Sequence, residues 1–167
     1  MSVARAAMLA LAVVACRGPL AAGQHDTSPE PVSLARLNGA GTAYSSYAGI
    51  DDAMRTVIRD STAWRRLWQR INRPFIPQPM LPDIDFEREM VVVAALGARP
   101  SAGYDVVIEG ATRDSTGIAV AVRVAIPAAG CPVAAVETQP VDLARIPASD
   151  RPVRFREREV VVGCGSR

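Results

Sequence analysis

The chain is 167 residues long, poor in aromatic residues, and carries 19 basic residues, all of them arginine, against 17 acids. That length suits one domain with a hydrophobic core better than two, and abundant Ala and Val beside few aromatics make the expected core aliphatic. A formal charge of +2, smaller still once Arg5 is removed with a leader, argues against a nucleic-acid partner.

The N-terminus has the layout of a secretory signal: Arg5, an apolar run over residues 6–15, then Cys16 directly after Ala15. The run is too short to cross a hydrocarbon core, which takes about 20 residues. Val13-Val14-Ala15-Cys16 resembles the lipobox of bacterial lipoproteins. That resemblance implies removal of residues 1–15, lipid attachment at Cys16, and an exported protein anchored in the bacterial cell envelope, outside the cytoplasm. The alternative is an uncleaved segment with Cys16 as an ordinary thiol. Residues 16–40 lack periodicity and are broken by Gly18-Pro19, Gly23, Pro29, Pro31 and Gly39, so they read as a flexible tether. A single β-rich domain is then expected over 41–167.

Residues 53–59 suit a short strand, after which Asp60-Ser61 supplies a helix N-cap. Trp64, Leu67, Trp68 and Ile71 follow at i, i+3, i+4 and i+7, the apolar stripe of an amphipathic helix that Pro74 ends. Two tryptophans at this spacing fit either a binding face or, more simply, a helix packed on a sheet. Beyond a Pro-rich connector over 74–82 the pattern turns to β. Residues 90–96 form an unbroken apolar run that suits a strand buried on both faces. Tyr104, Val106 and Ile108 alternate with polar residues, and Ile118, Val120, Val122, Val124 and Ile126 hold strict period two. Asp114-Ser115-Thr116-Gly117 joins these two as a hairpin. Residues 141–146 and 153–162 give two more strands, the second carrying Arg154, Arg156 and Arg158 on one face, most simply a solvated one. The fold class expected is mainly β: an antiparallel sandwich or curved sheet with one amphipathic helix packed on it.

No active site is legible. The only histidine, His25, lies in the tether, which removes histidine-based nucleophilic and metal chemistry from the folded domain. Asp83, Asp85, Glu87 and Glu89 cluster at a strand entry, where carboxylates serve solubility unless pocketed as a perturbed pair. No phosphate-cradling glycine loop is present. Catalytic residues, metal and cofactor are therefore none. With Cys16 lipidated, Cys131 and Cys164 remain, and pairing them is expected in an oxidising compartment, against the alternative of two free thiols.

The segment joining two strands at residues 96–104 contains Arg99, Pro100, Ser101, Ala102, Gly103 and Tyr104, and loops on rigid sheets carry binding disproportionately. The order Asp85-Phe86, apolar strand, Leu96-Gly97, a turn ending in Gly103-Tyr104, a long hairpin, Pro127 with Cys131, then Thr138-Gln139-Pro140 resembles the C-terminal domain of PrcB-type protease-complex subunits over roughly residues 82–147. The helix Trp64-Arg65-Arg66-Leu67-Trp68 is similar to the region preceding that domain in related envelope proteins. Two positions depart from the family pattern: Ala102 stands where its turn commonly has Gly, and Val141 where an aromatic often follows.

The resemblance implies a non-catalytic accessory or binding module associated with a secreted or envelope protease. Its contact surface is then expected on residues 99–104, with Thr138, Gln139 and Pro140 beside them. An inhibitor is the alternative. Arg99-Pro100-Ser101-Ala102-Gly103-Tyr104 is similar to the Asn-Pro-Thr-Thr-Gly-Tyr wedge of chagasin-type cysteine-protease inhibitors, and Arg151-Pro152 resembles another of their loop motifs. That reading requires both loops at one end of the sandwich. A structural envelope lipoprotein without a dedicated partner is the third possibility.

Overall fold

The computed structural model describes residues 28–37 and 48–164. The expected signal peptide (1–15), the lipid-attachment residue Cys16 and His25 lie outside them. In chain order the elements are β1 (Glu30–Val32), β2 (Ala35–Arg36), β3 (Met54–Ile58), α1 (Ser61–Ile71), β4 (Glu89–Ala95), β5 (Asp105–Asp114), β6 (Gly117–Pro127), β7 (Val141–Pro147) and β8 (Val153–Val162). They form two four-stranded sheets, ordered β1-β5-β6-β8 and β2-β7-β4-β3.

The unbroken apolar run of β4 has a direct cause. Its odd residues Val91, Val93 and Ala95 pack with Trp64, Leu67, Trp68 and Ile71 of the helix. Its even residues Met90, Val92 and Ala94 join Val106, Ile108, Val120, Val122 and Val124 of the other sheet. A strand with a helix on one face and a sheet on the other has no face for water, so the alternation expected of a half-buried strand disappears. The molecule is thus three layers, α1 over the β2-β7-β4-β3 sheet over the β1-β5-β6-β8 sheet. The fold class read from the sequence is the one observed.

The helix starts where Asp60 caps it, its carboxylate accepting from the Ala63 N–H at 2.8 Å. It stops at Ile71 rather than at Pro74, because Asn72 closes the last turn with its backbone and side-chain N–H groups both donating to the Trp68 carbonyl. Trp64 and Trp68 are 2% and 5% exposed, and each ring N–H donates to the 74–82 connector, at the carbonyls of Pro82 and Pro79. The tryptophan stripe is core. The hairpin turn is held by Asp114, whose carboxylate accepts from the Thr116 and Gly117 amides and the Thr116 hydroxyl.

Two features differ from the sequence-based expectation. The tether was expected to run to residue 40, yet β1 pairs with β5 and β2 with β7, so the folded part already includes Glu30. These strands are short and contain Pro31, so they show no period; what holds them is the body they dock on. Arg36 of β2 pairs with Asp142, which is 5% exposed and also accepts the Ile108 amide at 2.7 Å, while Arg36 donates to the Ile108 carbonyl at 2.7 Å. One arginine and one aspartate therefore tie both sheets together. Secondly, β8 is parallel to β6, while the other strand pairs are antiparallel. The chain leaves one sheet after β7 and enters the other through the 147–152 turn, which brings β8 beside β6 running the same way.

Candidate binding site

The two segments singled out in the sequence are brought together. Arg99 and Thr138 form an isolated antiparallel bridge, with Arg99 N–H donating to the Thr138 carbonyl at 2.7 Å and Thr138 N–H returning to Arg99 at 2.9 Å. The Thr138 hydroxyl donates to the Ser101 carbonyl at 3.0 Å, and the Leu96 amide to Pro140 at 2.9 Å. Gln139 bridges elsewhere: its carbonyl accepts from Gly49 N–H and its amide donates to the Asp51 carboxylate. Thr138 and Pro140 are buried. They hold the 99–104 loop in place and offer a partner little surface, so of the two segments it is the loop that presents exposed residues, at Pro100 and Gly103.

Gly97 explains how the chain turns out of β4. It has φ +75°, and a Cβ there would sit 2.6 Å from the Asp51 carbonyl oxygen and 2.7 Å from the Ala53 nitrogen. Gly103 supplies the second left-handed residue, at φ +94°. No non-glycine residue among those described has positive φ. Ala102 therefore occupies an ordinary backbone conformation, and its methyl does not obstruct the turn.

Above this frame the Arg99 guanidinium lies 5.8 Å from the centre of the Tyr104 ring. Tyr104 is half-buried and packs on the inter-sheet core, so its ring serves as a fixed platform. Arg99 forms no ion pair among the described residues, a state it shares with others such as Arg59, Arg113 and Arg156, but it alone of these lies against an aromatic ring. Its Nε is buried without a hydrogen-bond partner. The buried Nε is out of a partner's reach, but an arginine held against a ring with its terminal Nη groups bonded to no described residue is suited to recognising a carboxylate or carbonyl on another molecule.

The sequence reading missed a neighbour. Residues 128–137 run without regular structure beside the loop, fixed at one point by the Ala102 N–H donating to the Ala134 carbonyl at 3.0 Å. The Cys131–Cys164 disulfide, with Cα atoms 5.2 Å apart, fixes them at another. Val133 and Val136 are 38% and 37% exposed there, and Val133 lies against Gly103, which adds apolar surface at that end of the loop. The only sequence signal was an apolar run, Pro132-Val133-Ala134-Ala135-Val136, too irregular for a strand and adjacent to a cysteine.

The other chemistry-bearing groups are accounted for structurally. Glu89 pairs with Arg145 at 3.2 Å, Asp85 pairs with Arg88 and accepts the Glu87 amide, and no group of three potential metal ligands occurs among the described residues. Two carboxylates are perturbed. The hydrogen bond from Arg158, with Arg158 and Arg123 charges nearby, holds Glu109 below its usual value; the hydrogen bonds from Thr116 do the same for Asp114. Both belong to exposed surface networks.

The loops that the inhibitor alternative needs are at opposite ends. In the β4–β7 pairing Ala95 is opposite Val141 and Glu89 opposite Pro147. The 99–104 loop therefore leaves one end of the sheet, and the turn containing Arg151-Pro152 leaves the other, where Ala148 N–H donates to Arg88. They do not form one composite wedge.

The family model described as PrcB C-terminal matches residues 90–147, which run from β4 through β7 and include the loop, the 128–137 segment and the 138–140 turn. No curated protein and no solved structure matches the chain.

Proposed function

Taking residues 90–147 as a member of the PrcB C-terminal family, we propose that this chain is a non-catalytic accessory module that binds a protein partner belonging to a secreted or envelope protease complex. The observation that carries the reading is Arg99, held against Tyr104 without a carboxylate of its own, in a partly exposed loop braced by Thr138. Family membership supports the protease association; the loop geometry supports binding over chemistry.

Placement outside the cytoplasm, with lipid at Cys16 and the tether leading to the domain, belongs to the same proposal. It is supported by the lipobox-like Val13-Val14-Ala15-Cys16 and by a disulfide between Cys131 and Cys164. No helix among the described residues is long and apolar enough to cross a membrane. Cys16→Ser therefore moves the protein from the membrane fraction to the soluble one if the lipid is its anchor.

Arg99→Ala and Ser101→Trp test the binding surface. Both are expected to leave the fold intact, since neither side chain belongs to the buried core, and to abolish capture of the protease partner, the first by removing the oriented donors and the second by obstructing the loop. Unchanged capture by both variants overturns the assignment of this loop. Adding the purified chain to the captured protease then separates an accessory subunit, which preserves or raises activity, from an inhibitor, which removes it stoichiometrically.

A further inference from the structure

The β1-β5-β6-β8 sheet ends in a ten-residue strand with one edge unpaired, Val153–Val162. The Pro152 and Val162 carbonyls both accept from the β6 side, from the Ile118 and Ala128 amides, and the β6–β8 register runs between them without a shift. Even-numbered residues of β8 thus direct their backbone groups to β6. Phe155, Glu157 and Glu159 direct theirs away from the sheet.

Such an edge invites another strand, and its charges select which one. Arg154, Arg156 and Arg158 are exposed on the outer face, beside Ala119, Ala121 and Arg123 of β6. Arg158 and Arg123 share Glu109. Arg154 donates to Thr116, and Arg156 has no hydrogen-bond or ionic partner among the described residues. A second copy of the chain is a poor occupant. Antiparallel pairing in one sheet keeps outer residues on the outer side, so the registers centred on residues 155 to 158 set Arg against Arg, and the one centred on 159 sets Glu159 against its own copy. The chain's segment 38–47, which contains no acid, does not match either.

On the inner face, an open groove of about 510 Å³ lies between β8 and β3, lined by Val57, Val153 and Phe155 with Arg55 and Arg59. A separate groove of about 250 Å³ on the other side of Arg55 is lined by Glu157, Glu159 and Arg99. A strand added here meets arginines with one set of side chains and, with the other, a groove of mixed lining in which Val57, Val153 and Phe155 are the apolar part and Arg55, which pairs with Glu157 at 2.8 Å, Arg59 and Asp150 the charged part.

We propose that the outer edge of β8 docks an extended segment of a protein partner in which acidic residues alternate with apolar ones. The acids face Arg154, Arg156 and Arg158, the apolar residues enter the groove beside Phe155, and the backbone pairs with residues 155, 157 and 159. The proposal rests on the reading of this chain as a binding module, although not on the 99–104 loop.

The probe is an end-capped peptide of alternating Glu and Val, titrated by fluorescence anisotropy against the full chain. Controls are a peptide of the same composition with Glu and Val in separate blocks, and an alternating Lys and Val peptide. Only the alternating acidic peptide is expected to bind. Arg156→Glu weakens it roughly fivefold through a reversed cross-strand pair. Glu159→Pro removes an outward amide while leaving the β6 ladder intact, and is expected to weaken binding roughly tenfold. Simple attraction to the arginines predicts the opposite for that variant, since it loses a negative charge. Hydrogen exchange in the unaltered chain gives an independent readout: the amides of 155, 157 and 159 slow on peptide addition. Undiminished binding by Glu159→Pro, equal binding of the block peptide, or unchanged exchange at those amides overturns the proposal. If partner capture through Arg99 persists in that case, the edge alone is excluded and the loop reading stands.

Discussion

Removing the disulfide tests both the stability account and the organisation of the candidate site. Cys131 and Cys164 are 33 residues apart in sequence, and closing a loop of that length restricts the unfolded chain by about 3.7 kcal/mol at room temperature on the chain-entropy model. Neither residue is in the inter-sheet core, so replacing both by Ser leaves no large apolar cavity. The expected loss in urea unfolding is therefore about 3–4 kcal/mol, equivalent to roughly 10–20 °C in Tm for a domain of this size. The variant also frees one anchor of residues 128–137, leaving Ala134 and the Arg99–Thr138 bridge to hold that segment beside the loop. Partner capture is then expected to weaken without being lost. A stability change below about 1 kcal/mol would refute the loop-closure reasoning, because the restraint on the unfolded chain would be absent. Capture unchanged at reduced stability would show that the 128–137 segment is not part of the contact surface.

Trp68→Ala, which empties a core position between the helix and β4, should cost about 3–5 kcal/mol in equilibrium unfolding; a loss under about 1 would mean the ring does not pack as described. Gly97→Ala places a methyl against the Asp51 carbonyl at positive φ, and should destabilise by roughly 2–5 kcal/mol or shift the 99–104 loop, read by thermal unfolding and by the Ala98 amide exchange rate. Glu109 and Asp114 both titrate lower in the folded state than in the unfolded one. Their contribution is fully present above the unfolded values, near pH 4, and is lost as pH falls through the folded values, so acid unfolding should be shallower in a Glu109→Gln, Asp114→Asn variant.

The parts of the fold legible in the sequence are those where local pattern and tertiary role coincide. The α1 stripe, the 90–96 run and the hairpin at Asp114 announce themselves because burial on one face, burial on two faces, and turn chemistry each leave a distinct periodicity. The short strands at Glu30–Val32 and Ala35–Arg36 leave none: their pairing depends on strand edges supplied by β5 and β7. The parallel placement of β8 was invisible for a similar reason, since alternation records which residues face a core and not which strand lies alongside. In the candidate site, the bend at Gly103 was readable from residue type. Burial of Thr138 and Pro140 was not, because a bridge between segments about 40 residues apart has no local signature. The separation of the Arg99 and Arg151 loops likewise required the register of β4 on β7.

The central claim is that the 99–104 loop is the surface through which this chain meets a protease complex. Its most direct test is site-specific photo-crosslinking in the native host, with a benzoylphenylalanine at exposed position 100 and, as control, at exposed position 66 on the solvent side of α1. The account predicts an adduct from position 100 whose other half is a protease or a subunit bound to one, lost when Arg99→Ala is introduced and missing from position 66. The absence of such an adduct, or the same adduct from both positions, would contradict it.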